Sequence, residues 1–375
     1  MPRMPDTLSR RQLLITLGGT VAAGAAAAAQ GAPRQQQGAP TVISTPPRDF
    51  GPTGAPTTYF SDPDVITVDP AFGALTQGNT TILRLWTGAL WVEGPAWNGQ
   101  GRYLLWSDIP NNRQYRWLED DGHVSVFRNP SNYSNGNTFD PQGRQIACEH
   151  ATRRVVRYEH DGTVTVVAES FQGKRLNSPN DAVVHKDGAI WFTDPPYGLQ
   201  LYEGGASRVP QRELPTNVYR VDPSGRIEMV VPEEQVADPN GLAFSPDFRR
   251  LYVTSTGKGP GDKDGGKGEI YVFDVGTDNR VSNRRLFSDC TVEGVKCGPD
   301  GIRCDVDGNV WVASNAGPIV GYSGATVWSP AGKLLGRIRL PEVCGNLTFG
   351  GAKRNRLFMC ASQSIYALYV GTQGA

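Results

Sequence analysis

Apolar positions in this chain fall in short runs, with no long stripes of helical period. Runs such as Ala189–Thr193 (AIWFT), Leu251–Thr254 (LYVT), Val310–Ala313 (VWVA) and Leu357–Ala361 (LFMCA) are each four or five residues long and bounded by turn residues. Runs of that length, rich in aromatic and β-branched residues, predict strands buried on both faces. Just before each lies another short apolar stretch, and a DPxG- or DxDG-like turn separates the two, so each pair reads as a hairpin. Other runs, as in "VVRYEHDGTVTVVAE", "NVYRVDPSGRIEMVV" and "GEIYVFDVGTDNRVSNRRLF", predict further strands outside these hairpins.

The hairpins repeat. "EGPAWNGQGRYLLWSD", "NGNTFDPQGRQIACEH", "SPNDAVVHKDGAIWFTD", "DPNGLAFSPDFRRLYVTST", "GPDGIRCDVDGNVWVAS" and "CGNLTFGGAKRNRLFMCAS" share one grammar, with a polar residue opening the first strand eight positions before the turn residue. The copies begin 42, 45, 60, 60 and 46 residues apart, the spacing of about four strands per unit with insertions in the third and fourth. Six such units predict an all-β fold, a six-bladed β-propeller over residues 61–375. The run "TILRLWTG" (81–88) precedes the first copy, while the last unit stops early at "SIYALYV" (364–370). An N-terminal strand therefore closes the last blade and covers a sheet edge.

Innermost strands line the channel of a propeller, so a residue at one register in all six copies forms a ring at one channel mouth. That ring is Glu93, Asn135, Asn180, Asn240, Asp300 and Asn346. Asn and Asp also open turns for purely local reasons. Six in one register, with charge confined to Glu93 and Asp300, instead predict an oxygen cage for one divalent cation, calcium above all, with zinc, magnesium or manganese also able to bind.

Composition agrees with this picture and narrows the partners. The chain has 45 Gly, 28 Pro and 34 aromatic residues among 375, as expected of short strands and many turns, and four His, too few for a His-built metal centre. Its 37 basic and 37 acidic residues balance, so no field attracts nucleic acid or an anionic membrane. The start, "SRRQLLITLGGTVAAGAAAAA", reads as a twin-arginine signal within residues 1–32. A Pro-, Gly- and Gln-rich lead-in follows over 33–60. The Tat export machinery is then a partner and the expected location is periplasmic or secreted. Six cysteines permit disulfides in such a compartment but show no metal-binding spacing.

The motifs "WVEGPAW", "RLNSPNDAVVHKDGAIWFTDPPYG", "DPNGLAFSPD" and "GPDGIRCDVDGNVWVAS", in this order, resemble the gluconolactonase and regucalcin (senescence marker protein) family, over about residues 80–370. The resemblance implies hydrolysis of sugar lactones at one channel-mouth cation. By motif, Glu93, Asn240 and Asp300 match the family's metal ligands and Asn180 a fourth, more substrate-facing one. The related diisopropylfluorophosphatases and paraoxonases use the same Glu, Asn, Asn, Asp set; the second, structural calcium of paraoxonases has no signature in this sequence. In this chemistry the ion polarises the carbonyl, and Asp300 or metal-bound hydroxide activates water. Arg175, Asn177, Asn135 and His150 are further candidates for substrate contact; Asp194 and Tyr197 are candidates for shaping the pocket, and Asp181 for capping its own turn. Two other readings stay open: a broader arylesterase or phosphotriesterase at the same site, and a propeller that binds a ligand without catalysis.

Overall fold

Six antiparallel sheets follow one another along the chain in the computed structural model, which describes residues 51, 61–206, 211–257 and 266–375. The signal at 1–32 and, apart from Gly51, the lead-in at 33–60 lie outside the described residues. Blade 1 consists of Val92–Asn98, Tyr103–Asp108, Arg113–Leu118 and Val124–Arg128, innermost strand first. Blades 2 to 5 begin with inner strands Ser134–Phe139, Ala182–Val184, Pro239–Phe244 and Gly298–Cys304. Blade 6 takes Cys344–Gly350, Arg356–Ala361 and Ser364–Tyr369 from the C-terminal end and its outer strand, Leu83–Thr87, from before blade 1. The six-bladed architecture and its closing strand are as the sequence predicts.

Packing follows from the pattern. The second strands are the runs buried along their whole length, as in Ile190–Asp194 and Arg356–Ala361, because blades stack face to face on both sides of them. Outer strands such as Val164–Ala168 are largely exposed. Five of the six seams between blades are apolar. Trp191, Leu242, Leu251 and Phe273 fill the seam of blades 3 and 4, for example, and Trp311, Phe349, Leu357 and Met359 that of blades 5 and 6. The seam of blades 1 and 2 has a different centre. There Ser107, Gln114, Ser134, Asn137 and Gln145, all buried, bond to one another. The Asn137 amide also donates to the Gly94 carbonyl at 2.9 Å, so this polar cluster is fully engaged.

Two features depart from the expected register. In blades 2 to 6 the left-handed turn residue lies eight positions after the ring residue, at Gly143, Gly188, Phe248, Gly308 and Arg354, but in blade 1 it is Arg102, one position later than Gly101. The longer Asn98–Gly101 turn, closed by Gly101 N–H donating to Asn98 Oδ1 at 2.6 Å, takes up the extra residue. Blade 5 also gains a fifth strand, Val65–Thr67, paired with Leu334–Arg339. Beyond it Asp69 caps a 3-10 helix, Pro70–Leu75, that buries Phe72 against Trp311, with ring centroids 6.4 Å apart.

Ring closure is tested at Trp86 on the closing strand, which packs on Trp106 and Tyr115 of blade 1 at centroid distances of 5.4 and 4.8 Å. Trp86→Ala should cost about 2–4 kcal/mol of unfolding free energy in urea titrations, part of the range for large-to-small changes because Trp86 is only partly buried. A loss below about 0.5 kcal/mol would mean that this seam does not hold the circle shut.

Candidate active site at the channel mouth

All six ring residues stand together, and their contacts can be followed round the circle. A Cβ on Gly94 would lie 2.0 Å from the Asn135 carbonyl oxygen, one on Gly136 2.3 Å from that of Asn180, and one on Gly241 2.4 Å from that of Asp300. A Cβ on Gly301 would meet Asn346 Oδ1 at 2.0 Å, and one on Gly345 would meet Glu93 Oε1 at 2.3 Å. Glycine beside each of these ring residues is thus a steric requirement, since any side chain would push the inner strands apart. The remaining link, blade 3 to blade 4, runs through Thr193, whose hydroxyl donates to the Asn240 carbonyl at 2.6 Å.

Thr193 represents a second layer. Ser107 in blade 1 and Thr254 in blade 4, at the same level on their second strands, donate likewise to the carbonyls of Asn135 and Asp300 in the following blade, at 2.8 and 2.9 Å. Each hydroxyl lies 13 or 14 residues after its own blade's ring residue. The same register comparison that found the ring could have found them.

Electrostatics sets this mouth apart. Glu93 and Asp300 are both buried, and desolvation raises the Glu93 carboxyl to about 8 and Asp300 well above the usual carboxylate range. For Asp300 the next cause is the charge of Glu93, so the two carboxylates feel each other directly. Neighbouring amides offset this only partly: Asn240 lowers Asp300, and Asn346 lowers Glu93. Asp300 Oδ1 and Asn135 Oδ1 are buried with no hydrogen-bonding partner. A buried polar atom without a partner costs about 1–3 kcal/mol, so a mouth with two of them is built for something to bind. Among the described residues no group of three or more His, Cys, Asp or Glu forms a metal cluster. The donors on offer are two carboxylates and four carboxamides.

Asp181 takes the position where blades 1, 2, 4 and 5 have glycine. It caps its own turn, accepting from Ala182 N–H at 2.9 Å, and also pairs with Arg303 of blade 5 at 3.0 Å. This inter-blade ion pair was invisible in the sequence. Arg303 also lines a cavity of about 740 Å³ at the other mouth, together with Trp97, Phe139, Lys186 and Phe349.

The remaining candidates divide into scaffold and lid. Asp194 accepts from the backbone N–H groups of Asn177 and Ser178, both at 2.8 Å, and so pins the loop that delivers Asn180. Asp108 treats the loop before Glu93 in the same way, accepting from Leu90 and Trp91. The Asn177 amide donates to the carbonyls of Asp194, Leu214 and Pro215, and the exposed Arg175 guanidinium to that of Thr152. The structure thus gives both residues backbone partners. Tyr197 donates to the Gly257 carbonyl at 2.9 Å. His150 is buried beneath two short 3-10 helices, Tyr197–Leu199 and Leu201–Glu203, with Nδ1 3.5 Å from Glu203 Oε2. Burial lowers His150 to about 4 and raises Glu203 to about 7. Glu203 lies in the insertion after the third hairpin, outside the repeat, and no periodic signal marks it.

The loop-pinning role of Asp194 predicts that Asp194→Ala leaves two buried N–H groups unpaired and costs about 2–4 kcal/mol in urea unfolding. A change under 1 kcal/mol would show that the loop carries itself.

A family model described as SMP-30/Gluconolactonase/LRE-like region matches residues 91–363. A gluconolactonase of Zymomonas mobilis is 31% identical over 326 residues, covering 81% of this chain and 85% of its own. Among solved structures, XC5397 of Xanthomonas campestris, described as a gluconolactonase important in glucose secondary metabolic pathways, superposes with a TM-score of 0.71 at 35% identity. It covers 87% of this chain and 100% of its own. A calcium-binding protein, regucalcin, of Agrobacterium tumefaciens shares the fold, with a TM-score of 0.61 at 18% identity over 78% of this chain and 94% of its own.

Proposed function

The chain belongs to the SMP-30/gluconolactonase/LRE-like family, and on that footing we propose that it hydrolyses sugar lactones to aldonic acids at the ring mouth, with one divalent cation as cofactor. The observation that carries this reading is the pair of buried carboxylates, Glu93 and Asp300, set in one ring of carboxamides with Asp300 Oδ1 unpartnered. Gluconolactonase relatives that span most of this chain support the substrate class.

The donor set fits a hard cation. Glu93, Asn180, Asn240 and Asp300 offer oxygen only, and two carboxylates match the charge of one dication. Calcium suits a mouth of this kind best, since amide and carboxylate oxygens from six separate blades tolerate its flexible coordination. When bound, such an ion supplies Lewis-acid polarisation of the lactone carbonyl. The chain's own part is to hold Glu93, Asn240 and Asp300 on inner strands, the last two clamped by Thr193 and Thr254, to hold Asn180 on the loop pinned by Asp194, and to orient the substrate. Asn180 and Asn135 are the carboxamides proposed to meet it. Asp300 is the ring's own candidate for taking a proton from water. Commitment to a cation makes a carboxylate a weaker base.

The test is a panel of aldonolactones followed by proton release, with aryl esters and an organophosphate in parallel. Stripping metal with a chelator should abolish lactone opening, and added calcium should restore it. Glu93→Gln and Asp300→Asn should each lower kcat/KM at least 100-fold in folded protein. Undiminished activity after thorough stripping would overturn the cation, and faster turnover of the esters would move the substrate class.

Export is part of the same proposal: Arg10 and Arg11 direct the folded protein through the twin-arginine route to the periplasm or medium. Replacing both by Lys should leave full-length precursor in the cytoplasmic fraction on immunoblots, while the wild type appears shortened outside it. Equal export of both would exclude this route.

A further inference from the structure

We propose that Glu203 is the proton acceptor of the hydrolysis, taking its proton from the attacking water, and that His150 is the positioning residue that holds its carboxylate over the ring. This rests on the lactonase reading above and adds to it a residue outside the cation's ligands.

The lid that carries Glu203 is braced from three blades. Gly198 N–H donates to Ser178 Oγ of the blade 3 loop at 3.0 Å, and Tyr197 O–H reaches the Gly257 carbonyl of blade 4. From blade 2, Tyr133 lies so close beneath Gly204 that a Cβ there would sit 2.4 Å from its Cγ. The lid is therefore held in one position above the mouth. Two of its braces, Ser178 and Tyr133, each stand two residues before a ring residue, Asn180 and Asn135, which places the lid at this mouth.

Elimination points the same way. Of the other buried acids around the mouth, Asp181 is tied to Arg303, Asp194 to the Asn177 and Ser178 amides, Asp108 to those of Leu90 and Trp91, and Asp238 to that of Gly266. Glu149 is held by Arg154, Thr152 and Tyr158. Glu93 and Asp300 belong to the cation. Among the described residues, Glu203, 19% exposed, lies within ion-pair distance of His150 alone.

His150 is hard to explain as filler. It is 1% exposed, neither ring nitrogen has a hydrogen-bonding partner, and Gly198 is pressed against it so closely that a Cβ would lie 2.2 Å from Cγ. Held neutral by burial, it stands with Nδ1 3.5 Å from Glu203 Oε2, short of a formed hydrogen bond, and in this proposal a small approach of the Glu203 carboxylate lets Nδ1–H donate to it and hold its rotamer. The balance is simple. Water oxygen bonds to the lactone carbonyl carbon, its proton passes to Glu203, and the carbonyl electron pair moves onto oxygen. When that pair returns, the ring C–O bond breaks and the leaving oxygen takes the proton back from Glu203. The new carboxylic acid then loses its own proton to solvent.

The groups facing Glu203 are His150 from blade 2, Glu93 from blade 1, Asp300 from blade 5, and Tyr197 and Tyr202 of its own lid. A base of this kind contributes roughly 10²–10⁴-fold. In the full-length calcium-loaded protein, Glu203→Gln should lower kcat on a sugar lactone at least 100-fold. KM, and calcium affinity read from tryptophan fluorescence, should stay within threefold, and Glu203→Asp should recover part of the rate. His150→Ala should move the acid limb of the pH–rate profile to higher pH, because a carboxylate that loses a donor holds its proton more tightly. Glu203→Gln with kcat within threefold of wild type overturns the inference, and so does a tenfold loss of calcium affinity, which would make Glu203 a ligand. If Glu93→Gln and Asp300→Asn lose activity while Glu203→Gln keeps it, the ring reading stands and Glu203 is overturned. If wild-type protein opens no lactone, the functional reading falls and this inference with it.

Discussion

The structure turns on two buried acids that repel each other. Unit charges about 4 Å apart repel by roughly 4 kcal/mol at an effective dielectric of about 20, and burial adds a cost for each. A fold has to impose such an arrangement, and this one has ample means. Each fully buried large side chain contributes about 1.5–3 kcal/mol, and five of the six seams contain several, among them Trp106, Trp191, Trp311, Phe192, Phe273 and Phe358. The circle closes because of its seams and brings Glu93 and Asp300 together as a by-product. The charges acting on these two groups, from Glu93 itself, Asp181 and Glu203, are all negative, and Arg303 of blade 5 is committed to Asp181.

Precision at the mouth comes from close backbone approach. Glycines let neighbouring inner strands touch, and hydroxyls on the second strands clamp the carbonyls of the next blade's ring residue at three of the six steps. The loops leading into Glu93 and Asn180 are each fastened by an acid at the end of the second strand, Asp108 and Asp194. The ring is therefore fixed from both sides, and a lid stands above it.

What was legible in the sequence was whatever repeats. Ring residues, hairpins and the closing strand all follow one register, and periodicity makes each copy a check on the others. The Leu83–Thr87 strand was readable because blade 6 was visibly one strand short. Val65–Thr67 was not, because three residues beside a Pro-rich stretch have no periodicity and blade 5 was already complete. The Arg102 turn slipped by one because Gly101 looked like the obvious left-handed residue. Arg303 and Glu203 escaped for a deeper reason: the first acts across more than a hundred residues of sequence, and the second sits in an insertion that has no counterpart in the other blades. Nothing in their local sequence singles out Gln114, Asn137 and Gln145, and only the assembled blades show that they bond to one another.

Oily surfaces slide past each other at little cost, because dispersion and dehydration depend weakly on a small lateral shift. Directional bonds do not allow this, since an amide displaced by about 1 Å forfeits its partner. The carboxamide cluster between blades 1 and 2 thus works as a detent in an otherwise greased bearing. It fixes the lateral register of blades 1 and 2 at the seam that joins Glu93 to Asn135, and with it that sector of the channel's rim.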